Sequence, residues 1–418
     1  MRKYDSYKDS GVKWIGEIPS YWKAIPFKRV AKVKTNLVHP EDYLSYPQVS
    51  PDCIEKESGK LIKYETVEKA NVESDNHLFF KGQLLYSKIR PLLNKITIAP
   101  FDGLCSADMY PIETTMDTAF LKYMMLSDSF LESVRIVVRD RVKMPKINQE
   151  ELSQTILLYP PLTEQLVIAT YLDRKSAEID EHISKVEREI ELLKEYKQAE
   201  IARVVIHGLN PNAATKPSGF SWIGDIPAHW EICKISQHFS ERREKVSDKE
   251  YPALSVSKDG VIPQLETAVK TDNGDNRKKV CIGDFVVNSR SDRKGSCGFS
   301  AYNGSVSLIN IVLMPRKDIF GRYYHYLFRS NNYIEEYYRL GRGIVADLWT
   351  TRYVEMRNIM IPFPPIDEQQ LIVDYIDRKT TEIDRLVVEL TYQAEYLKEY
   401  KQRLIADVVT GKINVQPD

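Results

Sequence analysis

The chain repeats itself, and the repeat restricts it to folds built from two similar halves. WIGEIPSYW (14–22) returns as WIGDIPAHW (222–230), identical at six of nine positions. YPPLTEQLVIATYLDRKSAEID (159–180) returns as FPPIDEQQLIVDYIDRKTTEID (363–384), identical at 12 of 22. LLKEYKQAEIARVV (192–205) returns as YLKEYKQRLIADVV (396–409), identical at 10 of 14. The offset is 208 for the first pair and 204 for the other two, which divides the chain near 1–208 and 209–418. Four of the five tryptophans, Trp14, Trp22, Trp222 and Trp230, lie in the opening motif. They read as packing anchors at the start of each half rather than as surface contacts.

The closing segments read as long helices. Pro160-Pro161 and Pro364-Pro365 keep a helix from starting earlier. Thr163 and Asp367 are the expected N-caps, and Gln370 completes a capping box in the second copy. Gly208 and Gly411 are the expected stops. Ile179, Ile183, Val186, Ile190 and Leu193 follow 4-3-4-3 spacing, and Ile383, Val387, Leu390, Ala394, Leu397, Leu404 and Val408 keep the same register. Charged residues fill the positions between, the pattern of a coiled-coil seam. Two similar halves joined head to tail pack most simply about a pseudo-twofold axis, which makes the helices antiparallel. About 40 residues of helix span about 60 Å, close to about 18 base pairs at about 3.4 Å per step.

Between motif and helix the halves diverge. The stretches 23–158 and 231–362 carry short β-rich runs, GQLLYSKIRP (82–91) and GDFVVNSRSD (283–292), which align on Gly82 and Gly283. A turn matches at Asp102-Gly103 and Asn303-Gly304. An apolar, aromatic helix follows in each, FLKYMMLSDSFLESV (120–134) and YYHYLFRSNNYIEEYY (323–338), whose tyrosines read as core. Strands followed by helices make a mixed α/β domain. The expected fold class is α+β: two α/β domains separated by two long helices packed as an antiparallel coiled coil, with a pseudo-twofold internal duplication. The expected segments are a first domain over 1–158, a helix within 159–208, a second domain over 209–362, a helix within 363–412 and a tail over 413–418.

Composition narrows the class. The 418 residues carry 59 Lys/Arg and 59 Asp/Glu, yet residues 1–34 hold nine bases against three acids and 164–207 hold ten acids against seven bases. Basic regions and acidic helical surface cancel in the total. No apolar run approaches the roughly 20 residues of a membrane span, and MRKYDSYKDSG lacks the apolar core of a secretory signal. Cys53, Cys105, Cys233, Cys281 and Cys297 are odd in number with no CxxC pair, which reads as reduced thiols in a cytoplasmic protein.

No catalytic signature survives inspection. GRGIVA (341–346) approaches a dinucleotide fingerprint but follows a helix, where the fingerprint needs a preceding strand. NPNA (210–213) lacks the second proline and aromatic ring of a base-binding loop, and Pro51-Asp52 has no acid-x-Lys at a nuclease spacing. The seven histidines form no ligand cluster, and no GxSxG occurs. Basic residues do cluster in the divergent stretches. The DNA-contact candidates are Lys88, Arg90, Lys95, Arg139, Arg141, Lys143 and Lys146 in the first, and Lys278, Lys279, Arg290, Arg293, Lys294, Arg342, Arg352 and Arg357 in the second. Lys and Arg neutralise phosphates, and Arg can bond guanine bidentately in the major groove. SRSDRKGS (289–296) is the strongest of these, because small residues let the backbone approach phosphates.

Two halves, each opened by an IPxxW turn and closed by PP[LI]xEQ, a DRK helix and KEYKQ, resemble the specificity subunit of type I restriction-modification systems along essentially the whole chain. The resemblance implies a non-catalytic reader of double-stranded DNA. Each divergent stretch becomes a target recognition domain for one half of a bipartite, asymmetric site, and the helices set the spacer between halves. It implies two methylation subunits docked on the helical region and motor-nuclease subunits in the full complex. S-adenosylmethionine, ATP and magnesium are then expected on those partners, with no cofactor or metal on this chain. Glu164, Gln165, Asp173 and Arg174, with Glu368, Gln369, Asp377 and Arg378, are carried over for helix architecture and partner docking. The alternatives are a single-chain enzyme, which the absent motifs disfavour, and a coiled-coil adaptor that joins proteins without reading DNA.

Overall fold

Glycines with left-handed backbone turn the chain into the central strand of each α/β domain: Gly82 (φ +88°) before Leu84–Ser87 and Gly283 (φ +87°) before Phe285–Asn288. In the computed structural model, which describes residues 2–139, 145–258, 260–264, 274–316, 319–343 and 349–417, both strands are central in four-stranded antiparallel sheets. The first sheet runs Ile96–Ile98, Leu84–Ser87, Met109–Thr114, Ala31–Val33, and the second runs Cys297–Phe299, Phe285–Asn288, Asn310–Pro315, Phe239–Glu241. The strand order is the same in both. The first domain adds a five-stranded sheet containing one parallel pair, Gly103–Cys105 with Pro47–Val49. In the second domain the matching sheet has three strands, and Leu254–Ser257 pairs with Gly260–Pro263 as a separate hairpin. Gly103 and Gly304 are required by contact: an added Cβ would lie 2.5 Å from the Pro47 and Pro252 carbonyl oxygens respectively.

The chain leaves each domain beside the point where it enters. Lys23–Pro26 pairs antiparallel with Ile156–Tyr159, and Glu231–Lys234 pairs antiparallel with Met360–Phe363. Between these strands lie helices α1 (Thr118–Leu126), α2 (Asp128–Val138) and α3 (Gln149–Gln154) in the first domain. After α4 (Leu162–His207), the second domain holds α5 (Ile235–His238), α6 (Gly321–Arg329), α7 (Asn331–Arg339) and α8 (Tyr353–Met356), and α9 (Ile366–Val409) follows. The aromatic segments expected as one helix each are two. Ser127 and Ser330 adopt extended backbone, and each hydroxyl donates to the carbonyl three residues back, which ends the first helix before the second begins. Tyr323, Tyr324, Tyr333 and Tyr337 are buried in the second domain's core.

Both long helices start one residue before the expected caps. Leu162 and Ile366 are already helical, the Pro161 carbonyl accepts from the Glu164 and Gln165 N–H groups, and Gln370 bonds Asp374 instead of closing a capping box. A proline can stand at the edge of a helix because the first turn has no use for its missing N–H. Gly208 and Gly411, both at φ +73°, end the helices as expected.

The chain forms two compact units, Met1–Glu187 with Tyr392–Asp418, and Arg188–Thr391. Each contains one α/β domain and a stretch of both long helices. In the first unit Ile179 and Ile183 share a core with Leu404, Ile405 and Val408, and Lys401 donates to both oxygens of Asp180 at 2.8 Å. Glu187 meets Lys398 further along, so the two helices run antiparallel. In the second unit Val204 and Val205 share a core with Ile372, Val373 and Ile376, and Lys197 bonds Asp384 at 2.6 and 2.7 Å. Lys197 and Lys401 follow Leu193 and Leu397 in the seam register, so a lysine takes a seam position at that level of each coiled-coil segment and is paired by an aspartate flanking the seam. No helix is long and apolar enough to cross a membrane among the described residues.

Candidate nucleic-acid interface

The repeated residues converge where each domain joins the helices. Glu164 is buried, and its oxygens accept from the Trp22 indole N–H and the Tyr21 hydroxyl, both at 3.2 Å. Glu368 accepts from the Trp230 indole N–H at 2.8 Å and bonds His229. Gln165 and Gln369 have no solvent exposure; each donates to the carbonyl of the first proline, Pro160 or Pro364, at 2.8 Å. Their side-chain oxygens accept the N–H of Asp117 or Phe320 at 2.9 Å, fixing the start of α1 or α6. Asp173 accepts the Tyr123 hydroxyl at 2.6 Å, while Asp377 accepts the Tyr326 hydroxyl and an Arg322 N–H. Arg174 and Arg378 are exposed, each 5.9 Å from the ring of Tyr171 or Tyr375.

The far ends of the helices complete the arrangement. A Cβ on Gly411 would lie 2.4 Å from Pro19 and 3.3 Å from Trp22, and one on Gly208 would lie 3.2 Å from Trp230. Each buried tryptophan is therefore wedged between the start of one long helix and the end of the other. Trp14 is the looser member, 40% exposed, with its indole N–H on the Ser129 carbonyl.

In the first domain Lys88 and Lys146 meet at Asp108, 4.0 and 3.2 Å away, and an isolated bridge between Ile89 and Lys146 brings their strands together. Arg90 has left-handed backbone, donates its N–H to Pro145 and carries an exposed side chain. Lys95 turns aside to bond the Pro51 carbonyl at 2.8 Å beside Asp52. Arg139 is exposed at the end of α2, and Arg141 and Lys143 lie outside the described residues.

The second domain gathers more. A groove of about 650 Å³ is lined by Arg290 and Arg293 together with Lys258, Gln264, Asn288 and Asn310. Arg277 also borders it but is buried and twice bonded to Ser305, and burial pulls its guanidinium below the usual value. Arg290 donates through Nε and Nη2 to Asp292 at 2.9 and 3.0 Å. Lys278 bonds Glu241 and the Asn310 carbonyl, Lys279 bonds Glu244, and Lys294 bonds Glu335. Arg342 lies 3.5 Å from Glu355, while Arg352 and Arg357 are exposed at the two ends of α8, apart from the groove lining. Lys258, Gln264, Asn288 and Asn310 were not singled out from sequence. The alternation of Ser255 and Ser257 with apolar Leu254 and Val256 was the available signal of a polar sheet face leading to Lys258. No group of three or more His, Cys, Asp or Glu could hold a metal ion among the described residues.

No family model matches the chain. The EcoDI specificity subunit of the Escherichia coli type I restriction enzyme is 40% identical over 176 residues, 42% of this chain, and the chain spans 39% of that relative's length. The MjaX specificity subunit of Methanocaldococcus jannaschii is 23% identical, over 98% of each chain. Among solved structures, a chain from work on the assembly and conformational transition of a type I R-M system superposes with TM-score 0.69 at 17% identity, covering 95% of this chain and 99% of that one. The HsdS subunit from Thermoanaerobacter tengcongensis superposes with TM-score 0.53 at 18% identity, covering 95% and 98%. In sequence along its length, and in fold, the chain is a homologue of the specificity subunits of type I restriction enzymes.

Proposed function

We propose that the chain is the non-catalytic, sequence-specific DNA-binding subunit of a type I restriction-modification system. One observation carries the reading: the two domains share a strand frame and differ at the positions that line the second domain's groove. Arg277, Asn288, Arg290 and Asn310 correspond, strand for strand, to Asn76, Ser87, Ile89 and Met109 in the first domain. Arg, Asn and Gln are the side chains that pair bidentately with guanine and adenine edges, and Lys neutralises phosphate. Equal frames with unequal lining suit two different half-sites of a bipartite, asymmetric target, and the long helices suit a spacer of fixed length between them.

On this reading the chemistry belongs to partners. Two methylation subunits carry S-adenosylmethionine and modify an adenine in each half, and motor-nuclease subunits using ATP and magnesium cleave unmodified DNA. The exposed faces of α4 and α9, Arg174 and Arg378 among them, are the surface offered for docking. The test is a map of methylated adenines in host cells with and without the chain. Loss of one bipartite, asymmetric motif on deletion supports the reading; survival of such a motif refutes it and leaves an adaptor that joins proteins.

A further inference from the structure

We propose that Arg290 reads a guanine in the half-site of the second domain and that Asp292 is the positioning residue that aims it; this rests on the DNA-reading function proposed above. The Arg290 main chain is held from several directions. Its N–H donates to Asn288 Oδ1 at 3.2 Å, and its carbonyl accepts from the Tyr338 hydroxyl and the Arg293 N–H, both at 3.1 Å. Thr350 pairs with it across an isolated bridge. A side chain leaving such a base starts from a fixed direction.

The guanidinium is fixed as well. Asp292 takes Nε–H and one Nη2–H side-on, at 2.9 and 3.0 Å. Five N–H donors in a rigid fork leave Nη1–H and the second Nη2–H as a parallel outer pair. That outer pair matches the N7 and O6 acceptors that guanine presents in the major groove. The Arg290 side chain is 51% exposed and lines the groove beside Asn288 and Asn310, so the outer edge is open to a ligand. The neighbouring arginines lack this arrangement. Arg293 lies 3.7 Å from Asp292 and is 63% exposed, which fits a phosphate contact that needs charge and no set orientation. Arg277 has its Nε and Nη2 committed to Ser305.

The experiment uses the full chain in complex with its methylation subunits, on duplexes carrying the motif obtained from methylation mapping. Each guanine of the half-site that survives exchange of residues 23–158 is replaced in turn by 7-deazaguanine, which removes only N7. The expected result is one guanine at which the replacement weakens wild-type binding roughly 5- to 150-fold. At that position Arg290→Ala should be insensitive to the replacement, and Arg290→Lys, which keeps the charge without the fork, should bind the unmodified guanine more weakly than the wild type. Asp292→Asn should lower discrimination at the same base pair while discrimination at the other pairs of the motif is kept, a pattern that general unfolding does not produce. Equal weakening of matched and mismatched DNA by Arg290→Ala, or no guanine sensitive to loss of N7 in the wild type, overturns the assignment and leaves the DNA-reading function standing. Absence of any preferred sequence in the wild-type complex overturns that function too. Where one Arg290 variant fails to fold, the other still carries the comparison, and the wild-type series alone overturns the assignment when no guanine responds.

Discussion

Glu164 and Glu368 illustrate how one carboxylate can join two elements far apart in sequence. A carboxylate taken out of water, fully at Glu164 and in part at Glu368, is tolerated when its oxygens are satisfied, and here the satisfying groups are an indole N–H and a neighbouring polar side chain. Glu164→Ala should cost about 1–3 kcal/mol, because it leaves the Trp22 N–H buried without an acceptor; Glu164→Gln, which keeps an acceptor, should cost less. Thermal unfolding of the two variants beside the wild type checks this. His325 supplies a second residue-scale test. Burial, with Arg329 and Arg322 nearby and Asp377 opposing them, pushes its pKa from 6.5 to about 4, and its Nδ1 accepts the Phe299 N–H as only the neutral ring can. As pH falls from 6.5 towards about 4, the unfolded chain takes up a proton that the folded chain refuses, so stability is lost across that window. His325→Gln should flatten this part of a plot of melting temperature against pH. The repeated PPxxEQ motif was legible at this scale, but its partner was not: Trp22 lies 142 residues before Glu164, and no local pattern announces that contact.

At the scale of the element, the heptad register of the long helices was fully legible because it is periodic. The break at Ser127 and Ser330 was not, since serine interrupts a helix only when its side chain finds a backbone carbonyl, and that depends on packing. The pairs Asp180–Lys401 and Lys197–Asp384 lie at matching levels of the seam. A lysine at a seam position selects register, because a slipped alignment would part it from its aspartate and set its charge against hydrocarbon. Removing one heptad from each long helix, away from these pairs, shortens each by about 10 Å. On the proposed function the spacer should contract by about three base pairs with both half-sites unchanged. Methylation mapping in a host carrying the shortened chain reads the result directly, and an unchanged spacer would refute the idea that the helices set its length.

At the scale of the molecule, the duplication implied two domains of like plan, and their four-stranded sheets share one strand order, with Gly82 and Gly283 in matching places. The groove was less legible. Its lining comes from residues spread between Leu254 and Asn310, on strands and loops that sequence alone does not bring together, and Gln264, Asn288 and Asn310 carry no charge that would mark them in a search for basic clusters. Replacing residues 23–158 with the corresponding stretch of a relative should alter one half of the methylated motif and leave the other half intact. Change in both halves would refute independent reading.

The paired boundary strands have an evolutionary consequence. Because Lys23–Pro26 lies against Ile156–Tyr159, and Glu231–Lys234 against Met360–Phe363, the two ends of each domain are neighbouring strands, about 4.8 Å apart across a sheet. What is folded between them can be inherited as a cassette whose two ends fit the same mouth. On the proposed function, recombination at the motifs repeated on either side of these strands can exchange a whole recognition surface in one event, provided the incoming block keeps its contacts to the helix, such as those of Asp117 and Tyr123 with Gln165 and Asp173. Lineages carrying such chains should acquire new specificities by sudden substitution of blocks, with few intermediates of mixed preference.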